Sequence, residues 1–435
     1  MDARAPGGAA PVPLRRNRDF QLLWSGQAVS VLGSQISKIA YPLLVLAMTG
    51  SPARAGIAGF AAMLGYLLFP LPAGALADRL DRKRMMICCD VIRLAAVGSI
   101  AVAGWAAHIS YVQVLVAGFV EGSASVFFSL AQRAALPKIV HPSQRPVAVS
   151  QNEARNYGAQ LAGPALGGSL FGLAQAVPFA ADALTYLASL VTLPLIKAPM
   201  QEPGPAERPG MLTELRQGLA WTWREPFLRY GAFFAGVVNV LLQVVTLGLI
   251  VLVRRDGGSA AETGVVVGCF GAGGLAGAFA APWAQRRLPA GLTITGCMWS
   301  WALLLGALAV VRAPLWLCPV VAVMGFAGPA WNVSMQTYRM RITPNEMLGR
   351  TSSVTMQISW GTIPLGSLLG GVLLQEFTPA TAMAMVAAGM GLVALAATAA
   401  SPIRRAGRGP AAPAPGVPAA GVPGAPPRAA PEGSA

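Results

Sequence analysis

The chain has 435 residues, 54% of them hydrophobic and only 11% charged, with a mean hydropathy of +0.56. That balance excludes a string of water-soluble domains and points to a polytopic membrane protein. The net charge of +15 would suit nucleic acid in a soluble chain, but these cations fall in short clusters between apolar runs, so they read as a topology signal with no nucleic-acid partner.

The first twenty residues carry Arg4, Arg15, Arg16 and Arg18 and no apolar core, which makes residues 1–20 a cytoplasmic tail rather than a signal peptide. Apolar runs of about 20 residues, long enough to cross a bilayer, follow at Leu22 to Met48, Gly56 to Leu76, Met85 to Ala107, Tyr111 to Leu130, Ser150 to Leu173 and Pro178 to Ile196. These form a first half over residues 21–196. Residues 197–228 are polar and contain proline, with Thr213 to Trp223 expected as a surface helix in a cytoplasmic linker. A second half over residues 229–400 holds Tyr230 to Val253, Gly264 to Ala284, Gly291 to Val311, Leu315 to Met335, Arg350 to Leu374 and Ala380 to Ala400. The expected fold is therefore all-α, with about twelve transmembrane helices in two six-helix halves. Residues 401–435 are rich in Ala, Pro and Gly, bury little apolar area and read as a disordered cytoplasmic tail.

Gly74-Ala75-Leu76-Ala77-Asp78-Arg79-Leu80-Asp81-Arg82-Lys83-Arg84 sets the orientation. A central Asp, Lys or Arg costs about 2.5 to 3.5 kcal/mol in hydrocarbon, so this stretch is a surface loop, and its excess of cations places it in the cytoplasm. Arg133, Lys138, Arg145, Arg286, Arg287, Arg339, Arg341, Arg350, Arg404, Arg405 and Arg408 then fall inside. Arg54, Arg254, Arg255 and Arg312 fall outside, and both termini are cytoplasmic. The cell's inner (plasma) membrane is the expected location.

An internal repeat joins the halves. Gly163-Pro164-Ala165-Leu166-Gly167-Gly168 is echoed by Pro364-Leu365-Gly366-Ser367-Leu368-Leu369-Gly370-Gly371, and the apolar approach to the charged loop by Gly273-Gly274-Leu275-Ala276-Gly277 before Gln285-Arg286-Arg287. The second loop keeps the cations and loses the acid.

These residues resemble the major facilitator superfamily, in particular its drug and siderophore exporter branch of the enterobactin-exporter type. Gly74, Asp78, Arg79, Arg82, Lys83 and Arg84 match the superfamily's signature loop. Gly163, Pro164, Gly167 and Gly168 match the antiporter motif of the fifth helix, with Ala159 where a further Gly is usual. Leu32-Gly33-Ser34 through Tyr41-Pro42 to Gly50-Ser51 is similar to the branch's first helix, and the likeness runs from about Asn17 to Ala400. It implies the major facilitator fold, export by proton antiport, and a loop that latches the halves when the transporter faces outward. One departure concerns the fourth helix, where Gly118-Phe119-Val120-Glu121-Gly122 lacks the Arg of many proton-coupled exporters, so their proton relay does not transfer.

Polar residues inside the spans are the candidate site. Gln27, Ser30, Ser34 and Lys38 share a face of the first helix, and Asn239, Gln243 and Thr246 a face of the seventh; together they would line a substrate cavity, the alternative being interhelical hydrogen bonds. Glu121 and Asp182 are the proton-coupling candidates. Lys38 would be the counter-ion of Glu121 or attract an anionic substrate, the alternative for both being a permanent structural ion pair; for Asp182 the alternative is stabilisation by the sixth helix's N-terminal dipole. Asp90 and Arg93, three apart near the cytoplasm, are expected to join the latch of Gly74, Asp78, Arg79, Arg82, Lys83 and Arg84. Asp78 would pair with those cations or with the helix N-terminus beginning near Arg350. The fifth-helix motif would pack closely against the other half, or serve as small-residue packing alone.

Other chemistry is excluded on composition. The lysines follow Ser37, Arg82, Pro137 and Ile196, so no phosphate-binding Gly-Lys-Ser/Thr exists, and the expected energy source is a proton gradient with no cofactor. Cys88, Cys89, Cys269, Cys297 and Cys318 lack metal-ligand spacing, and His108 and His141 sit in loops, so neither a metal nor an enzyme is expected. The expectation is a monomeric secondary transporter in the lipid bilayer exporting a small lipophilic or amphipathic compound. Proton-coupled uptake is the runner-up, and a non-transporting receptor or scaffold is disfavoured by the lack of long loops or a soluble domain.

Overall fold

The computed structural model describes residues 12–201, 211–311 and 314–406; the Asp78 side chain, most of the N-terminal tail and residues 407–435 of the C-terminal tail lie outside them. In chain order the helices are α1 (Arg18–Thr49), α2 (Pro52–Leu68), α3 (Pro70–Arg79), α4 (Arg82–Trp105), α5 (Tyr111–Ile139), α6 (Arg145–Leu173), α7 (Val177–Leu195) and α8 (Met211–Arg224). There follow α9 (Pro226–Arg255), α10 (Ala260–Arg287), α11 (Ala290–Val310), α12 (Pro314–Ile342), α13 (Asn345–Gly361), α14 (Ile363–Glu376), α15 (Pro379–Ala399) and the short α16 (Ser401–Arg404). Their starts are written in the sequence. Asn17, Ser51, Asp81 and Ser110 each accept a hydrogen bond from a backbone N–H three residues on, and Ser259 with Glu262 forms a reciprocal capping box.

Among the described residues ten segments are long and apolar enough to cross a membrane, with Met347–Glu376 counted as one. Two more complete the expected twelve: α2, which at 17 residues is shorter and continues as α3, and α6, whose first half is polar. Side chains such as Leu173, Phe279 and Val310 stand 77 to 80% exposed on the outside of the bundle, an arrangement suited to lipid and unfavourable in water.

Two spans expected as continuous helices are broken. The second is divided at Phe69 between α2 and α3, and the eleventh at Thr362 between α13 and α14. Pro70 and Pro364 stand in the first turn of the new helix, where a missing N–H costs nothing. At the second break Thr362 Oγ1 donates to Gly236 O at 3.0 Å, which ties the break to α9. Several helices also overrun their apolar cores: α5 continues past Leu130 to Ile139, and α9 begins at Pro226 rather than Tyr230. Hydropathy marks the hydrocarbon, whereas the backbone ladder continues into the surface layer.

Each half has its own core. Val244, Met298, Leu305 and Met390 lie at the centre of one. Phe20, Met86, Phe128 and Leu193 fill the other, and Leu44, Ile100, Phe179 and Tyr186 belong to a further cluster that takes in Leu247 and Leu374 of the second half. The halves meet along two seams of small residues at the end of the bundle away from the N-terminus. On one, α2 meets α14, where a Cβ on Gly56 would stand 2.6 Å from Ser367 O and 2.7 Å from Gly371 Cα. On the other, α6 meets α10, where a Cβ on Gly168 would overlap Ala260 O and one on Gly264 would overlap Pro164 O. Glycine is required at these positions because backbone occupies the space of any side chain.

Candidate functional site

Between the two halves lies a cavity of about 250 Å³, lined by residues of both. Of the stripe expected to line it, Lys38, Asn239, Gln243 and Thr246 do so, joined by Gln35 and Gln160. Asn239 Nδ2 donates to Ser359 O at 2.7 Å and Gln243 Nε2 to Ser367 Oγ at 3.2 Å, so both carboxamides are fixed by the broken span opposite. Apolar wall comes from Ile39, Leu242, Phe270 and Met324. The cavity therefore offers one ammonium, several carboxamides and aliphatic and aromatic surface, a composition suited to a small molecule with an apolar body and a polar end.

Gln27, Ser30 and Ser34 do not line this cavity, which corrects the expectation drawn from their shared face. Gln27 and Ser30 are buried, and the stripe faces α7: Gln27 Nε2 donates to Ser189 Oγ at 3.3 Å, and Ser34 Oγ lies 3.0 Å from Tyr186 OH. At about 3.6 residues per turn Lys38 falls at the border of that stripe and the face carrying Gln35 and Ile39. Its long stem carries the ammonium around to the cavity, where it is exposed.

Behind α1 lies a second polar feature, closed off from solvent. Arg93 pairs with Asp90 one turn earlier on α4, and its guanidinium lies over the rings of Phe128 and Tyr186, 4.3 and 4.6 Å from their centroids. Ser189 Oγ donates to Asp90 Oδ2 at 2.6 Å. Tyr41 OH donates to Glu121 Oε2 at 2.8 Å, and Tyr186 OH lies 3.1 Å from Glu121 Oε1 and 3.4 Å from Asp182 Oδ2. Thr185 Oγ1 is 3.2 Å from Asp182 Oδ1. A phenol has one hydrogen to give, so Tyr186 serves one carboxylate at a time. Asp90, Glu121 and Asp182 are all buried, with Arg93 as the cation among them.

This arrangement revises three expectations. Glu121 is held by two tyrosines and not by Lys38. Asp182 lies beyond the first turn of α7, inside the network, and is not a dipole partner at a helix end. Asp90 and Arg93 belong here and not to the charged loop, because the helix face they share turns toward Ser189 and Tyr186.

Two of the loop's own cations bond to backbone of the first half. Arg82 donates through Nε to Ala77 O and through Nη1 to Ala134 O and Met200 O, each at 2.9 Å. Lys83 Nζ donates to Pro194 O and Ile196 O at 2.8 and 2.9 Å. These contacts join α3, α5, the end of α7 and the segment after it within one half. Arg79 and Arg84 are exposed, and a Cβ on Gly74 would meet open space. Asp78 lies in α3, its side chain outside the described residues. The fifth-helix motif wedges α6 between two neighbours: Gly163 and Gly167 face Gln35 and Ile36 of α1, and Gly168 faces α10 of the other half. Among the described residues no group of acids, Cys and His forms a metal site.

Gln35, Gln160, Tyr41, Tyr186 and Ser189 escaped the sequence reading. Local spacing carried a signal for two of them, since Gln35 precedes Lys38 by three residues and Tyr186 follows Asp182 by four, each one helical turn away.

Comparison with known proteins agrees with this architecture. The family described as transmembrane secretion effector matches residues 8–413. Macrolide efflux protein A of Streptococcus pyogenes is 23% identical over 368 residues, covering 81% of this chain and 88% of that protein. The multidrug efflux pump Tap of Mycobacterium tuberculosis is 26% identical over 370 residues, covering 79% and 84%. The crystal structure of the nucleoside transporter NupG superposes with a TM-score of 0.70 at 15% identity, covering 88% of this chain and 98% of that one. With a match that spans both halves, the chain belongs to the transmembrane secretion effector family of the major facilitator superfamily and is a multi-pass membrane transporter of small molecules, not an enzyme.

Proposed function

We propose that this protein exports a small lipophilic or amphipathic compound across the plasma membrane in exchange for protons, by alternating access, with both termini cytoplasmic. The observation that carries the reading is the two-sided role of α1. One face of this helix presents Lys38 to the cavity between the halves, and the other supplies Tyr41 to Glu121 in the closed network. A change of charge in the network thus acts on the helix that lines the cavity, which is the physical link antiport requires.

Asp90, Glu121 and Asp182, all ionised, leave two negative charges unmatched by Arg93, and an unmatched buried charge is costly. Taking up a proton relieves that cost; releasing it restores the charge and favours a rearrangement that readmits water. Glu121 and Asp182 are the proposed carriers, because they share Tyr186, whereas Asp90 is satisfied by Arg93 and Ser189. Efflux as the direction is supported by the macrolide and multidrug efflux relatives and by the fifth-helix motif. A gradient suffices as the energy source: about 2.3 kcal/mol per proton per 100 mV.

The test is uptake of a lipophilic fluorescent dye into inside-out proteoliposomes under an imposed pH gradient. Wild type should accumulate dye only when the gradient is present, and Glu121→Gln should lower the gradient-driven rate by about tenfold or more. Dye movement by wild type that ignores the gradient would sink the antiport reading.

A further inference from the structure

Resting on the export reading, we infer that the transported compound carries an anionic group, of carboxylate type, that is received by Lys38. Among the described residues lining the cavity Lys38 is the one ionisable side chain, and the lining includes no carboxylate. The acids that could neutralise it are occupied behind α1: Glu121 by Tyr41 and Tyr186, Asp182 by Thr185, and Asp90 by Arg93 and Ser189. Lys38 itself makes no ion pair or hydrogen bond among the described residues, and its side chain is exposed to the cavity.

An ammonium without a counter-ion in a recess with low-dielectric walls sets up a positive potential that draws anions and opposes cations. A lysine head is a compact point charge on a flexible stem, suited to anionic groups of varied geometry. The remaining polar groups complement that choice. Gln35 and Gln160 add neutral carboxamides to the lining, and Asn239 and Gln243 each donate within the second half, to Ser359 O and Ser367 Oγ. In the same cavity Leu242, Phe270 and Met324 provide the surface for an apolar body. The site therefore selects an amphipath by the sign of its head group.

Two probes with one body isolate that sign: pyrenebutyrate and its trimethylammonium counterpart. Binding of each to the purified full-length protein is measured by equilibrium dialysis, and transport of each in proteoliposomes. Wild type should bind the anion about tenfold or more tighter than the cation. Lys38→Arg should keep that preference, Lys38→Gln should erase it, and Lys38→Glu should invert it. Equal binding of both probes by wild type, no binding of either, or an unchanged preference in Lys38→Gln overturns the inference. The first two outcomes need no variant, so a misfolded substitution does not shield the claim. Selective binding without gradient-driven transport would overturn the export reading and leave the assignment of Lys38 standing; transport that prefers the cation would do the reverse.

Discussion

Arg93 is the residue on which the buried network closes. Its guanidinium pairs with Asp90 and lies between two aromatic rings, while the other two acids of the network are shared through tyrosine hydroxyls. Removing one partner of a buried pair strands the other, so Arg93→Gln should destabilise the protein by about 3 to 5 kcal/mol. The double variant Asp90→Asn with Arg93→Gln should recover at least about half of that loss; both are measured by thermal unfolding in detergent. Equal stability of the single and double variants would contradict the pairing. The ions themselves were legible in the sequence: Lys38, Glu121, Asp182, Asp90 and Arg93 all stood out against apolar surroundings. Their partners were not, because a pairing across helices depends on how each helix is rotated. Gln27 meets Ser189 across 162 residues of chain and Tyr41 meets Glu121 across 80, and no local spacing reports either contact.

Among the elements, α6 shows how backbone sets the distance between the halves. Gly168→Leu would drive a side chain into the Ala260 carbonyl, and the expected loss of stability is about 1 to 3 kcal/mol. Gly391→Leu on α15 meets open space and should unfold at the wild-type temperature in the same assay. Matching losses in both would show that the α6–α10 approach is not what the glycine serves. The existence and order of the spans were readable because a hydrocarbon slab imposes one length on every crossing. The breaks at Phe69 and Thr362 were not, although Pro70 and Pro364 were in view. A proline within an apolar run is compatible with a kink as well as with a new helix, and only neighbours such as Gly236, accepting from Thr362, decide between them.

For the molecule as a whole, the charged loop is proposed to do two jobs. Arg82 and Lys83 tie together the ends of three helices of one half through backbone carbonyls. Asp78, in the last turn of α3, is the proposed latch toward the second half. Asp78→Asn should therefore reduce transport about tenfold at unchanged membrane abundance, since insertion follows the cations. Normal transport at equal abundance would leave the loop as a topology signal only. The seams that hold the halves together have a mechanical consequence. At Gly56 with Gly371, and at Gly168 with Ala260 and Gly264, the contact is backbone against backbone. No rotamers have to interlock there, and the peptide groups already bond within their own helices. Such a contact behaves as a bearing and not as a clasp: the surfaces can roll or slide while staying in touch, and parting them exposes little that lipid or water must newly satisfy. Side chains that cross between the halves supply the remaining restraint on opening, at Ser51 Oγ with Gln375 Oε1 beside the α2–α14 seam, and at Arg133 over Trp360 and Gln357 on Leu67 O toward the other end of the bundle.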